Sequence, residues 1–262
     1  MNRSKAQAFS VGGVIGTLGG LIGLGGAEFR LPVLVGHFRF PTLEAVILNK
    51  VTSLVVVAAS LPLRGMAIPW TEVFAQWAVI LNLLAGSLVG AWLGAHYATK
   101  MNTAWLNRII LVLLVLLALG MLFGHDHLTV NHAGMAEGPL RLVVGLVAGV
   151  GIGLVAAVLG VAGGELLIPT LVLLFGIDMK LAGSLSLCIS LPTMLMAFAR
   201  YRQSDAFAVC AQEQHFLGWM IGGSLVGSAV GAALLGIVPT TLLVWGMGVI
   251  LLVSAVKVFR HH

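Results

Sequence analysis

Residues 23–32 read GLGGAEFRLP, and residues 160–169 read GVAGGELLIP. Sliding the chain against itself by 137 residues lays Gly23 on Gly160, Gly26 on Gly163, Glu28 on Glu165 and Pro32 on Pro169, while Arg30 falls on Leu167. The same register, without a gap, pairs Gly12 with Gly149, Gly16 with Gly153, Ala45 with Ala182, Ser53 with Ser190, and GSLVGAWLGA at 86–95 with GSLVGSAVGA at 223–232. Glycine-rich apolar segments match by chance. One ungapped register that carries a glutamate and a proline through separate segments does not, and it marks a duplication. The sequence reads as two copies of one unit, over roughly 6–123 and 143–259.

The solvent this chain expects follows from its composition. Hydrophobic residues make up 59% and charged residues 9%, and mean hydropathy is +1.07. Such a surface would aggregate in water, so it faces lipid. Apolar segments of about 20 residues, the length that crosses some 30 Å of hydrocarbon, recur from Phe9 to Val258 with no polar domain between them. The expected fold class is an all-α integral membrane protein of two inverted repeats, each a broken or re-entrant helix element followed by three transmembrane helices. The expected divisions are residues 1–123 for the first membrane repeat, 124–142 for an external linker loop and 143–262 for the second repeat.

The net charge of +5 is spread over 14 Lys and Arg that stand singly near segment ends, which excludes the basic stripe of a nucleic-acid binder. Cys188 and Cys210 lie in apolar surroundings and give neither a disulfide framework nor a metal-type pair. The basic N-terminus reads as the flank of a retained first segment, because the apolar run behind it contains a motif that returns later.

Within each unit the pattern predicts a glycine-rich helix, a break around the Glu and Pro, a short apolar piece and three long helices. Those helices are expected near 42–61, 72–98 and 103–123, and near 179–198, 213–235 and 239–259. Pro32 and Pro169 lack a backbone N–H and are expected to mark where the chain restarts. Broken backbone at membrane depth is tolerated where protein or a water-filled cavity surrounds it. A broken element that returns the chain to its starting side leaves an odd number of net crossings per unit, so the copies are inverted. Arg3, Lys5, Arg39, Lys100, Arg108, Arg200, Arg202, Lys257 and Arg260 then share one side, and Arg64, Arg141 and Lys180 fall on the other. The positive-inside rule makes the richer side cytoplasmic, with both termini there, in the cytoplasmic membrane.

An intramembrane carboxylate is expensive and points to function. Glu28 and Glu165 are read as proton-coupling or charge-balancing groups together with Arg30; the plainer reading is that each caps the helix that restarts beside it. Glu28, beside Arg30, is expected to ionise more readily, and Glu165 to be the one that couples proton movement. Gly25, Gly26, Gly163 and Gly164 are expected to offer backbone donors to an anion at two opposed helix starts. Gly86, Gly90, Gly94, Gly223, Gly227 and Gly231 are read instead as helix-packing positions. The helix after each break adds Asn49, Lys50, Thr52 and Ser53 in the first copy and Ser186 and Ser190 in the second, as neutral donors and one ammonium lining the substrate site. Lys50 has two readings, neutralising Glu28 or Glu44, or facing the substrate. Since Lys50 and Arg30 align with Leu187 and Leu167, the positive charge of the site is expected from the first copy.

His125, Asp126, His127 and His132 lie in the central loop and read as solvated linker rather than a metal site, having no counterpart in the repeat. No Walker loop and no helical His-Glu zinc motif occurs in the sequence, so no cofactor and no metal is expected.

GGVIGTLGGLIGLGGAEFRLPVLVG and GIGLVAAVLGVAGGELLIPTLVLLFGID resemble the duplicated signature of the TauE/SafE family of sulfite and organosulfonate exporters, over essentially the whole chain. The signature residues are Gly23, Gly25, Gly26 and Pro32, with Gly160, Gly163, Gly164 and Pro169; Ala27 and Ala162 stand where the family often has a third glycine. The resemblance implies a permease, not an enzyme, for small sulfur-containing anions such as sulfite, thiosulfate or sulfonates. The expected partners are that anion and membrane lipid, with no nucleic acid; a homo-oligomer is compatible with the sequence. Two other classes compete. A proton-coupled cation or metal-ion carrier would use Glu28 and Glu165. An intramembrane hydrolase or acyltransferase would need a His or Ser beside a carboxylate, and His96 and His215 lie near segment ends.

Overall fold

The computed structural model describes residues 5–22, 26–65, 69–123, 135 and 138–234. Every element among them is helical. In the first copy these are α1 (Lys5–Ile22), α2 (Ala27–Gly36), α3 (Thr42–Gly65), α4 (Trp70–Ala75), α5 (Trp77–Lys100) and α6 (Thr103–Phe123). In the second they are α7 (Pro139–Leu159), α8 (Gly164–Phe175), α9 (Met179–Tyr201), α10 (Val209–Gln212) and α11 (Gln214–Leu234). A 3-10 turn, Asp205–Ala208, leads into α10. The helix starts Ala27 and Gly164, Thr42 and Met179, and Trp77 and Gln214 each lie 137 residues apart. The helix expected near 239–259 and the histidine loop lie outside the described residues.

Segments Thr42–Pro62, Trp77–Lys100, Pro139–Leu159 and Lys180–Tyr201 are long and apolar enough to cross a membrane. Large apolar side chains face outward along them, among them Trp77, Leu81, Leu140, Val147 and Leu195. Their exposure suits a hydrocarbon solvent. Trp70, Phe74 and Trp77 stand exposed at one end of α5, and Tyr97 and Trp105 at or just past the other. An aromatic belt at each lipid–water boundary has this distribution.

The short elements decide how the chain turns. At a rise of 1.5 Å per residue, α2 and α8, with 10 and 12 residues, reach about 15–18 Å, little more than half the hydrocarbon thickness. Each is a half-crossing. The breaks precede the glutamates: Gly26 (φ 69°) and Gly163 (φ 85°) open α2 and α8 in the left-handed region that glycine enters without strain. Pro32 and Pro169, expected at the restart, lie inside the helices instead. A proline in a helix has no N–H for the carbonyl four residues back, so the Glu28 and Glu165 carbonyls are released from the helical pattern. A second departure is the helix expected over 72–98, which divides at Gln76 (φ −96°, ψ 24°) into α4 and α5. Glu213 (φ −110°, ψ 28°), 137 residues on, divides α10 from α11 in the same way. Neither position has a local glycine or proline to announce it.

Glycine stripes join the two copies crosswise. A Cβ on Gly12 would strike the Met220 carbonyl at 2.5 Å, and one on Gly149 would strike the Leu83 carbonyl at the same distance. Gly16 lies against Ser224 as Gly153 lies against Ser87, Gly223 against Phe9 as Gly86 against Leu146, and Gly227 against Gly13 as Gly90 against Val150. Each of these four contacts of α1 with α11 thus recurs, at the same offset, as a contact of α5 with α7. Residue numbers rise together along both pairs, so the partners run parallel. The packing reading of Gly86, Gly90, Gly94, Gly223 and Gly227 agrees with these contacts: backbones touch without intervening side chains, the arrangement small residues allow in lipid.

Candidate functional site

The half-crossing α2 delivers Glu28 and Arg30 into the interior. Arg30 is 0% exposed and Glu28 2%. A buried guanidinium persists where polar partners replace water. Arg30 Nη1 donates to Asn49 Oδ1 and to Ser53 Oγ, both at 3.1 Å, and Nη2 donates to Ser224 Oγ at 3.3 Å. Its charge also acts on the nearby Glu28. Asn49 and Ser53, four residues apart on α3, share the face that meets α2. Ser224 comes from α11 of the other copy, so the guanidinium is held by both halves.

Asn49 and Lys50 also reach across to the second break. Asn49 Nδ2 donates to Ala27 O at 2.9 Å and to Leu159 O at 3.1 Å, tying the start of α2 to the end of α7. Lys50 Nζ donates to Ala156 O at 2.9 Å and Val161 O at 2.6 Å. Tyr201 on α9 donates its hydroxyl to Ala157 O at 2.9 Å. The last carbonyls of a helix lack the regular intrahelical partner; those of Ala156 and Ala157 accept from the Val161 and Gly160 N–H groups, and these three side chains add further donors at the end of α7. A cation is also favoured there by the helix dipole. Lys50, read from sequence as neutralising Glu28 or Glu44 or as facing substrate, clasps a helix end through the Ala156 and Val161 carbonyls.

The second copy presents different chemistry at the equivalent positions. Ser186 Oγ donates back to Gly183 O, and Thr52 in the first copy likewise donates to Leu48 O. Ser87, the equivalent of Ser224, shares a 2.7 Å hydrogen bond with Thr193. Ser190 Oγ is buried without a partner among the described residues. Gly164 opens α8, and Gly25 lies outside the described residues.

Glu28 and Glu165, read from sequence as separate groups in separate copies, lie within reach of each other's charge, and each keeps an Oε1 buried without a hydrogen-bond partner among the described residues. The structure adds Ser224, Ser87, Thr193 and Tyr201 to the residues that sequence reasoning singled out. A signal for two of them was present. Ser87 and Ser224 are the polar side chains shared by the two GSLVG stretches, placed inside otherwise small and apolar stripes.

A family described as Sulfite exporter TauE/SafE matches residues 8–258, nearly the whole chain. The chain belongs to the TauE/SafE family. It is also 30% identical over 110 residues to "Probable membrane transporter protein YunE" of Bacillus subtilis (strain 168), a stretch covering 42% of this chain and 38% of that relative. The aligned region therefore spans well under half of that relative's length. No solved structure matches the chain. With four helices of membrane-crossing length and composition, this TauE/SafE member is a multi-pass membrane protein.

Proposed function

We propose that this TauE/SafE protein is a secondary permease that moves small sulfur-containing anions, of the sulfite, thiosulfate or organosulfonate class, across the cytoplasmic membrane. The observation that carries this reading is the fully buried Arg30 guanidinium, held by the neutral side chains of Asn49, Ser53 and Ser224 beside the break that opens α2. An oxyanion entering from water exchanges its hydration for the guanidinium and these hydroxyls and amides, and neutral partners release the guanidinium at lower cost than a carboxylate would. Gly25, Gly26, Gly163 and Gly164 provide backbone donors, and Thr52, Ser186 and Ser190 provide further wall. Lys50 acts as a positioning residue that fixes the second break.

Alternating access needs two halves that move against each other, and the helix directions support inverted repeats. Ser87 bonds Thr193, and His96 Nδ1 lies 2.9 Å from Arg200 Nη2, so α5 and α9 run parallel. The connection from Tyr201 to Gln214 is folded as the 3-10 turn and α10 and is too short to retrace a helix of about 30 Å, so α11 runs against α9. Since α1 is parallel to α11, and α7 to α5, α1 opposes α7. With the cationic excess inside, both termini are cytoplasmic and the 124–142 linker is external, between repeats at 1–123 and 143–262.

A second reading has its own support, because two carboxyl groups within reach of each other's charge suit a cation better than an anion. In proteoliposomes, purified protein should accumulate labelled sulfite under an imposed gradient and leave a divalent metal ion at the background rate. Metal uptake without sulfite uptake would replace the anion permease by a cation carrier.

A further inference from the structure

We propose that the ends of α5 and α9 form a binding site for the phosphate of an anionic phospholipid, held by Lys100 and Arg200 across the junction of the two repeats. The two helices run parallel, and each carries its cation in the last turn. Arg200 is fixed before any ligand arrives. Its Nε and Nη2 both lie on His96 Nδ1, at 3.2 and 2.9 Å, and its Nη1 donates to Gln203 Oε1 at 3.4 Å. A guanidinium has donors only, so Nδ1 accepts, and His96 is the neutral ring with its proton on Nε2. Trp92 stacks on that ring, with centroids 5.1 Å apart and planes 9° apart, and holds it in place.

The donors left over define the ligand. Of the guanidinium's N–H groups, His96 takes those of Nε and Nη2 and Gln203 takes one of Nη1, which leaves one N–H on each terminal nitrogen without a partner among the described residues. One N–H on each terminal nitrogen is what a two-oxygen contact to a phosphate uses. Lys100 adds an exposed ammonium one turn beyond His96 on α5, a spacing that puts the two Cβ atoms about 6 Å apart. Neither cation has an ion-pair partner among the described residues. Two positive charges therefore stand around His96 with donors to spare and no carboxylate to neutralise them.

The approach to these cations is hydrocarbon. The Ser87–Thr193 bond sets the register of α5 on α9 deeper in the membrane, and the His96–Arg200 contact closes it at the helix ends. Between those two levels Val89 and Trp92 on α5 and Leu195 on α9 are exposed, at 54%, 45% and 49%, within segments of membrane-crossing length. Tyr97, also exposed, marks the lipid–water boundary beside His96. An acyl chain lies along this wall while its phosphate reaches Arg200 and Lys100, whereas a free anion would use the cations alone. Basic residues in a last turn also complement the helix dipole, but that role needs no guanidinium pinned by a second helix. The site is independent of the permease reading, and a lipid held there ties α5 of the first repeat to α9 of the second.

Native mass spectrometry of the purified full-length protein, titrated with phosphatidylglycerol or with phosphatidylcholine of the same acyl chains, tests the site without a transport assay. The wild type should bind phosphatidylglycerol in preference. Lys100→Gln, a change at an exposed side chain, should fold as the wild type does and weaken that binding about fivefold. Arg200→Gln should weaken it about tenfold or more. Lys180→Gln, at the opposite end of α9, should leave it within about twofold. Should Arg200→Gln fail to fold, Arg200→Lys keeps the charge, loses the two-oxygen contact and should still bind several-fold more weakly. Equal binding of the two lipids overturns the proposal, as does unchanged preference in Lys100→Gln and the Arg200 variant. Inorganic phosphate and sulfite supply an anion without the chains; displacement of the lipid by either at millimolar concentration would make this a site for a free anion instead. A lower melting temperature of lipid-free Lys100→Gln, with lipid binding unchanged, would reduce the cations to partners of the helix dipoles.

Discussion

Arg30 and Leu167 hold the same position in the two copies, four residues past the left-handed glycines Gly26 and Gly163, and their surroundings have diverged to match. Around Arg30 the hydroxyl of Ser53, the amide oxygen of Asn49 and the hydroxyl of Ser224 all accept hydrogen bonds from one guanidinium. The equivalent Ser190, Ser186 and Ser87 have no such donor. Ser186 turns back to its own helix, Ser87 pairs with Thr193, and Ser190 Oγ stays unpartnered among the described residues. The backbone has nevertheless kept its symmetry, down to the glycine contacts that lock α1 on α11 and α5 on α7. Duplication preserved the scaffold, where a one-atom change collides with backbone, and released the side chains inside it, where only local pairing had to be restored.

The sharpest way to break this contrast is to make the first copy resemble the second. Arg30→Leu leaves Asn49 Oδ1, Ser53, Ser224 and the nearby Glu28 without their cation. Removing one partner of a buried charged network costs about 3–5 kcal/mol, so the variant should lose anion flux and melt far below the wild type. A melting temperature within a degree or two of wild type, with flux intact, would deny Arg30 any central role. The scaffold makes the opposite prediction, that equivalent changes behave alike. A Cβ on Gly90 meets the Val150 carbonyl, and one on Gly227 meets the Gly13 carbonyl. Gly90→Ala and Gly227→Ala should therefore each destabilise by about 1–3 kcal/mol, to a similar degree in thermal unfolding. A large difference between them would mean that the two glycine seams are not equivalent in the folded protein.

The clasp at the end of α7 is a smaller asymmetry. Lys50→Met leaves the Val161 carbonyl without its donor, while Ala156 O keeps the Val161 N–H, and removes a buried ammonium, so the opposing effects should leave a loss of about 1–2 kcal/mol. Chemical denaturation would measure it, and the reciprocal Leu187→Met should be near neutral. The smallest effect is expected after α2. Arg39 is exposed and sits at φ 55°, in the left-handed region, whereas its counterpart Gly176 sits at φ 68°. Both positions follow a half-crossing whose end is closed in the same way, by Phe40 N–H on Leu34 O at 3.1 Å and by Ile177 N–H on Leu171 O at 3.2 Å. Arg39→Gly should relieve strain and stabilise by up to about 1 kcal/mol, raising the melting temperature slightly. A fall instead would show that the arginine side chain contributes more than its backbone costs.

The sequence alone determined the solvent, the duplication and the family, because each depends on quantities the chain carries linearly: apolar length against membrane thickness, and a glutamate, a proline and glycines recurring at one offset. It also placed most helices, since Thr42, Trp77 and Thr103 begin runs with no internal breaker strong enough to end them. The division at Gln76 and the position of Pro32 inside α2 were not legible. A proline is tolerated in a helix when packing holds the turn around it, and a helix can divide without a proline or glycine when its neighbours require a change of direction. The pairing of residues far apart in sequence belonged to the tertiary structure. Lys50 reads as a free ammonium until α7 ends beside it, and Ser224 reads as one more small residue in a glycine stripe until Arg30 reaches it. Glu28 and Glu165 are the same residue at the same place in recurring motifs, and nothing in the linear chain states that the charge of one acts on the other, because the distance between side chains, which sequence does not encode locally, decides which groups sense each other.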